Sequence, residues 1–178
     1  MKNTLLLLLI IPALLFSCDK VDELNTIEFD TTLSMDIPVA VVEPTAQIAK
    51  SGQAEFTFSQ TQTTRLSDID EISDYLNKLK SIAINDMEIA FSNLGEGEEI
   101  ISIEISVTGA GTIVTLNNIS ATNNVQNPDI DNAVLMQATT ILNATKEIEL
   151  TVSGTTNTAP MGFIVNMDFD CHIEAEAI

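Results

Sequence analysis

Tryptophan is absent from this chain of 178 residues, which holds one tyrosine, one histidine, two cysteines and only 7 Lys and Arg. Each shortage excludes something. So few cations against 26 Asp and Glu, a formal charge of −19, exclude a nucleic-acid binder, which needs a basic footprint for the phosphates. The scarcity of aromatics removes the stacking platforms on which sugar sites usually rest. A lone histidine, His172, with no G-x-S-x-G segment, leaves no Ser-His-Asp arrangement within reach of the sequence. The two cysteines, Cys18 and Cys171, do not suggest a disulfide framework.

What is present is ordinary for a folded domain: 45% hydrophobic and 19% charged residues, without low-complexity runs or internal repeats. The length fits one domain.

The N-terminus has the form of an export signal. Lys2 supplies a positive start, and Thr4 to Phe16 is an apolar run interrupted only by Thr4 and Pro12. The run is shorter than the roughly 20 residues of a membrane span and matches a signal-peptide core. It ends in Leu15-Phe16-Ser17-Cys18. This resembles the lipobox of bacterial lipoproteins, with a Leu three residues before a Cys and a small residue just before it. The resemblance implies cleavage before Cys18 and acylation of that residue, so that residues 1–17 are a signal peptide. Asp19, Lys20, Asp22 and Glu23 follow, and this charged cluster is similar to the surface-export signal of Bacteroidota lipoproteins. The expected organisation is then a lipidated Cys18 with a short tether to residue 25, and one domain over residues 26–178. The tether of about eight residues reaches roughly 28 Å when extended, which keeps the domain close to the bilayer.

Beyond the tether the dominant pattern is a period of two. Ile27, Phe29, Thr31, Leu33, Met35 and Ile37 fall on one face, with Glu28, Asp30, Thr32, Ser34 and Asp36 on the other, as in a half-buried strand. Residues 40–53, with Pro44 and Gly52, read as a loop. Ala54, Phe56 and Phe58 alternate next. Ile82 and Ile84 are out of phase with Met87, Ile89 and Phe91, which predicts a bulge near Asn85-Asp86. Gly95-Glu96-Gly97 turns into a strand through Ile101, Ile103, Ile105 and Val107, and Gly109-Ala110-Gly111 turns into one over 112–119. Ile148, Leu150 and Val152 precede a turn expected from Gly154 to Pro160. The last strand points Phe163, Val165, Met167, Phe169, Cys171, Ile173 and Ala175 one way.

Two segments change to helical spacing. Over 68–79, Ile69, Ile72, Leu76 and Leu79 share a face, with Ser67 as the expected N-cap. A second helix is expected to start at Asn127-Pro128, with Asp129 and Asp131 at its positive end and a buried stripe of Ile130, Val134, Ala138, Ile141 and Leu142. The fold class that follows is mainly β: an antiparallel β-sandwich, Ig-like or Greek-key-like, of about seven to eight strands with two short helices.

Chemistry could collect in one place. The outer face of the last strand carries Asp168, Asp170, His172, Glu174 and Glu176, with neighbours roughly 7 Å apart. Asp168, Asp170, His172 and Glu174 are the residues to examine for a divalent cation such as calcium. Calcium needs roughly six to eight oxygens, so a flat strand does not suffice alone, and the bland reading is a solvated acidic surface. Cys171 and His172 are adjacent but face opposite ways, which prevents a joint zinc site. Gly95 to Glu99 and Asp129/Asp131 lack the spacing of a calcium loop. No cofactor and no catalytic residue are assigned.

The whole pattern resembles the small β-sandwich outer-membrane lipoproteins of Bacteroidota, many without an assigned role. That resemblance implies a membrane-anchored, non-enzymatic lipoprotein, an interaction or accessory subunit with a protein partner in the cell envelope, on the cell surface or the periplasmic side of the outer membrane. The alternative is a ligand-binding module for calcium or glycan at the cell surface.

Overall fold

A computed structural model describes residues 25–43, 55–128 and 130–177. The signal segment, Cys18, the tether up to residue 24, most of the expected loop with Ala54, and Asp129 lie outside the described residues.

Among the described residues, alternating side chains build eight strands. These are β1 (Thr26–Val41), β2 (Phe56–Arg65), β3 (Leu79–Ser92), β4 (Glu99–Val107), β5 (Gly111–Ser120), β6 (Val125–Gln126), β7 (Glu147–Thr156) and β8 (Met161–Glu176). They form two four-stranded sheets, in the orders β1-β8-β3-β6 and β2-β7-β4-β5, with every pairing antiparallel. The chain changes sheet at each connection except the β4–β5 hairpin. The β-sandwich is therefore the jelly-roll form of the Greek key, with a strand order unlike that of an immunoglobulin domain.

The inner faces make one core. Met35 and Ile37 of β1, Met167 and Phe169 of β8, and Ile89 and Phe91 of β3 meet Ile103 and Ile105 of β4 and Leu150 and Val152 of β7, all nearly or fully buried. The edge of one ring of the Phe58–Phe163 pair meets the face of the other at 5.3 Å, linking the sheets. The predicted bulge is present: Ile84 pairs with Cys171 and Asp86 with Asp170, leaving Asn85 as the extra residue. The extra residue restores the inward phase at Met87.

The structure departs from the sequence expectations at several places, each with a local cause. The segment expected as one helix over 68–79 is three short turns: a 3₁₀ turn at Leu66–Asp68, helix α1 (Asp70–Ser73) and a second 3₁₀ turn at Leu76–Lys78. Its short polar side chains bond locally instead of supporting a longer helix. Ser67 Oγ donates to Asp68, and Ser73 Oγ to the Asp70 carbonyl. Ser67 caps nothing; it sits inside the first turn, and Leu66 N–H is held by the Lys146 carbonyl. Ile72 is the segment's buried anchor.

Helix α2 runs from Asn132 to Thr145, later than Asn127-Pro128. Pairing of Val125 and Gln126 with β3 keeps the chain extended, and Pro128 disfavours a helical Asn127. The cap is Asp131, whose carboxylate accepts from Ala133 and Val134 N–H. Its buried residues are Leu135, Ala138 and Leu142, with Ile130, Val134 and Ile141 packed beside the core.

In β4 a register shift against β7 makes Ile101 the extra residue, so Ile100 rather than Ile101 enters the core. Strand β1 extends through Val41 into the expected loop, and β7 through Gly154 to Thr156. Gly154 is a packing residue: a Cβ there would lie 2.1 Å from the Ser102 carbonyl and 2.8 Å from the Phe58 ring.

Candidate functional site: the outer face of the first sheet

Strand β8 lies between β1 and β3, so its outward side chains meet two neighbours. Register orders the face into rows. Glu174 lies beside Glu28 and Ser81, His172 beside Asp30 and Ala83, Asp170 beside Thr32 and Asp86, Asp168 beside Ser34 and Glu88. The expected column Asp168, Asp170, His172 and Glu174 thus shares one face. Asp30, Asp86 and Glu88 join it through pairing, which a reading of single strands does not reveal. The alternating acids of β1 were visible in the sequence; what was hidden is that β1, the first strand, pairs with β8, the last.

Donors on adjacent strands take up several of these acceptors one at a time. Ser34 Oγ donates to Asp168 Oδ1 at 2.6 Å. His172 Nδ1 lies 2.7 Å from Asp30 Oδ1, and its Nε2 4.0 Å from Glu28. Asn166 Nδ2 donates to Asp36 Oδ1 at 2.6 Å. The hydrogen bond to Asp30, reinforced by the charges of Asp30, Glu28 and Glu174, holds the His172 imidazole above its ordinary pKa against a smaller opposing effect of desolvation.

Two recesses flank the bulge. One, of about 420 Å³, is lined by Asp30, Thr32, Asn85, Asp86 and Asp170. The other, of about 240 Å³, is lined by Asp86, Glu88, Asn127, Asp168 and Asp170. Among the described residues, no three His, Cys, Asp or Glu side chains converge as a metal site. Asp168, Asp170, His172 and Glu174 are spread along the strand, as its rise per residue demands.

Glu98 and Asp131 serve the local backbone. Glu98 Oε2 accepts the Gly95 N–H at 2.6 Å, folding that glutamate onto its own turn. Asp131 is a helix cap. Cys171 points into the core, 2% exposed, and burial pushes its thiol up to about 11 despite an opposing backbone hydrogen bond from Leu33. Among the described residues no helix is long and apolar enough to cross a membrane.

No family model matches the chain, and no curated protein matches it. Among solved structures, that of the decameric BFDV capsid protein aligns over 83% of this chain and 99% of that chain, with a TM-score of 0.42 and 8% identity. A likeness at that level carries no argument about activity or assembly.

Proposed function

We propose that the chain is a lipid-anchored, non-enzymatic lipoprotein that serves as an interaction or accessory subunit at the bacterial outer membrane or cell surface. The observation that carries this reading is Cys18, set directly after the apolar run and Leu15-Phe16-Ser17. The acyl chains would insert, each buried methylene contributing about 0.8 kcal/mol, and more than one chain makes the attachment stable. Strand β1 begins at Thr26, so a short tether holds the sandwich near the lipid surface.

The non-enzymatic part is supported by how the few reactive side chains are engaged. The single histidine is taken by Asp30, and Cys171 faces the core. The strongly acidic body favours basic partners over anionic lipid or nucleic acid.

Growth with labelled palmitate tests the anchor. Label enters the wild-type chain and is lost in Cys18→Ala, which also leaves the membrane fraction. Equal labelling of both chains contradicts the proposal.

A further inference from the structure

Among the described strands, four lie at sheet edges: β1 and β6 in the first sheet, β2 and β5 in the second. An edge strand offers unpaired N–H and C=O groups to another chain, and proteins blunt such edges with charge, proline, bulges or cover. Strand β1 carries acids and Pro38, and β6 has two residues. In β5, Asn118 has a left-handed φ of 57°, and the Ile113 carbonyl accepts the Asp131 N–H at 3.4 Å.

Strand β2 carries no charge, proline or bulge between Phe56 and Thr64. It pairs with β7 without a register break, contains no proline, and carries no acid in a chain with 26 of them. No described strand lies on its outer side. Its ends are opposite in charge and exposed: Glu55 precedes it, and Arg65 closes it. The Arg65 Nε already donates to Glu147 Oε2 of β7 at 3.2 Å, so a contact with a second copy falls to the two terminal nitrogens of its guanidinium. A two-fold axis at Gln60 sets Gln60 opposite itself, Ser59 opposite Thr61, and Arg65 opposite Glu55 of a second copy, twice over. Hydroxyls already pair this way on the other side of β2, where Thr61 Oγ1 and Thr151 Oγ1 are 2.8 Å apart.

We propose that this chain associates with a second copy of itself by antiparallel pairing of β2 with β2 about Gln60, joining two four-stranded sheets into one continuous sheet. The contact is isologous, so both copies contribute the same surface. It combines main-chain hydrogen bonds with two reciprocal Arg65–Glu55 contacts. The absence of acids along β2 lets two strongly negative bodies approach there. Strand pairing alone buries less than a standard interface, so the dimer forms reversibly with concentration.

The test uses the full chain purified in mild detergent. In Gln60→Cys the two thiols meet on the axis, with Cα atoms roughly 4.5–5.5 Å apart, inside disulfide range. Mild oxidation yields a covalent dimer several-fold more readily than in Asn117→Cys, on exposed β5, or in the wild type. In sedimentation, Arg65→Glu weakens the dimer, and adding Glu55→Arg restores it, with thermal melting checked for each variant. Equal cross-linking at positions 60 and 117 overturns the proposal. So does a folded double variant that fails to regain the dimer.

Discussion

Asn143 of α2 closes a two-way hydrogen-bonded pair with Ile82 of β3: its Oδ1 accepts the Ile82 N–H at 2.9 Å, and its Nδ2 donates to the Ile82 carbonyl at 2.7 Å. A side-chain amide stands where a neighbouring strand would be. Two residues on, Thr139 Oγ1 accepts the Ile84 N–H at 3.3 Å. Strand β6 covers β3 only at Ile89 and Ala90, so α2 shields the other end of that edge.

Replacement of Asn143 by Ala leaves both main-chain groups of Ile82 without their partner. The expected loss is about 2 kcal/mol, read from urea denaturation. A change within about 0.5 kcal/mol, the range of an ordinary surface substitution, contradicts this role.

Gly154→Ala should destabilise by roughly 3 kcal/mol, since the added methyl meets the rigid Ser102 carbonyl of β4 as well as the Phe58 ring. Gly162→Ala is the comparison: its Cβ would find nothing closer than 3.7 Å. Equal melting temperatures for the two variants would remove the packing argument.

His172 is the only histidine, so its titration is read directly by NMR. Its pKa is raised by Asp30, with Glu28 and Glu174 adding to the effect. The pair therefore contributes fully below the unfolded value of about 6.5, and the contribution is lost as pH rises through the folded value. Asp30→Asn should lower the His172 pKa and flatten that part of the stability profile. An unchanged titration in Asp30→Asn would show that the 2.7 Å contact does not set the protonation of the ring.

Burial and a thiol pushed up to about 11 make Cys171 unreactive while the protein is folded. Thiol reagent at pH 8 should find no group in the native lipidated protein and one after denaturation. Two thiols on denaturation would mean that Cys18 carries no thioether.

The sandwich was legible in the sequence because strands with one wet face alternate. Residues 27–37 and 163–175 show the alternation without interruption, and the bulge at Asn85 announced itself as a phase change in the same pattern. What resisted reading was non-local. Gly154 looks like a turn until the Phe58 ring and the Ser102 carbonyl are seen against it. The segment 68–79 has helical spacing, but its serines and aspartates favour local bonds that break it into turns. Asp131 outcompetes Asn127 as a cap because Val125 and Gln126 are drawn into the sheet by β3. The acids of β8 were visible as a column, whereas Ser34 and Asp30, which engage Asp168 and His172, depend on the pairing of the first strand with the last.

Mass spectrometry of the N-terminal peptide from protein extracted from its native membrane measures the anchor itself. The account predicts a chain that begins at Cys18 and carries fatty acyl groups on it. A chain that retains residues 1–17, or one with an unmodified Cys18, contradicts it.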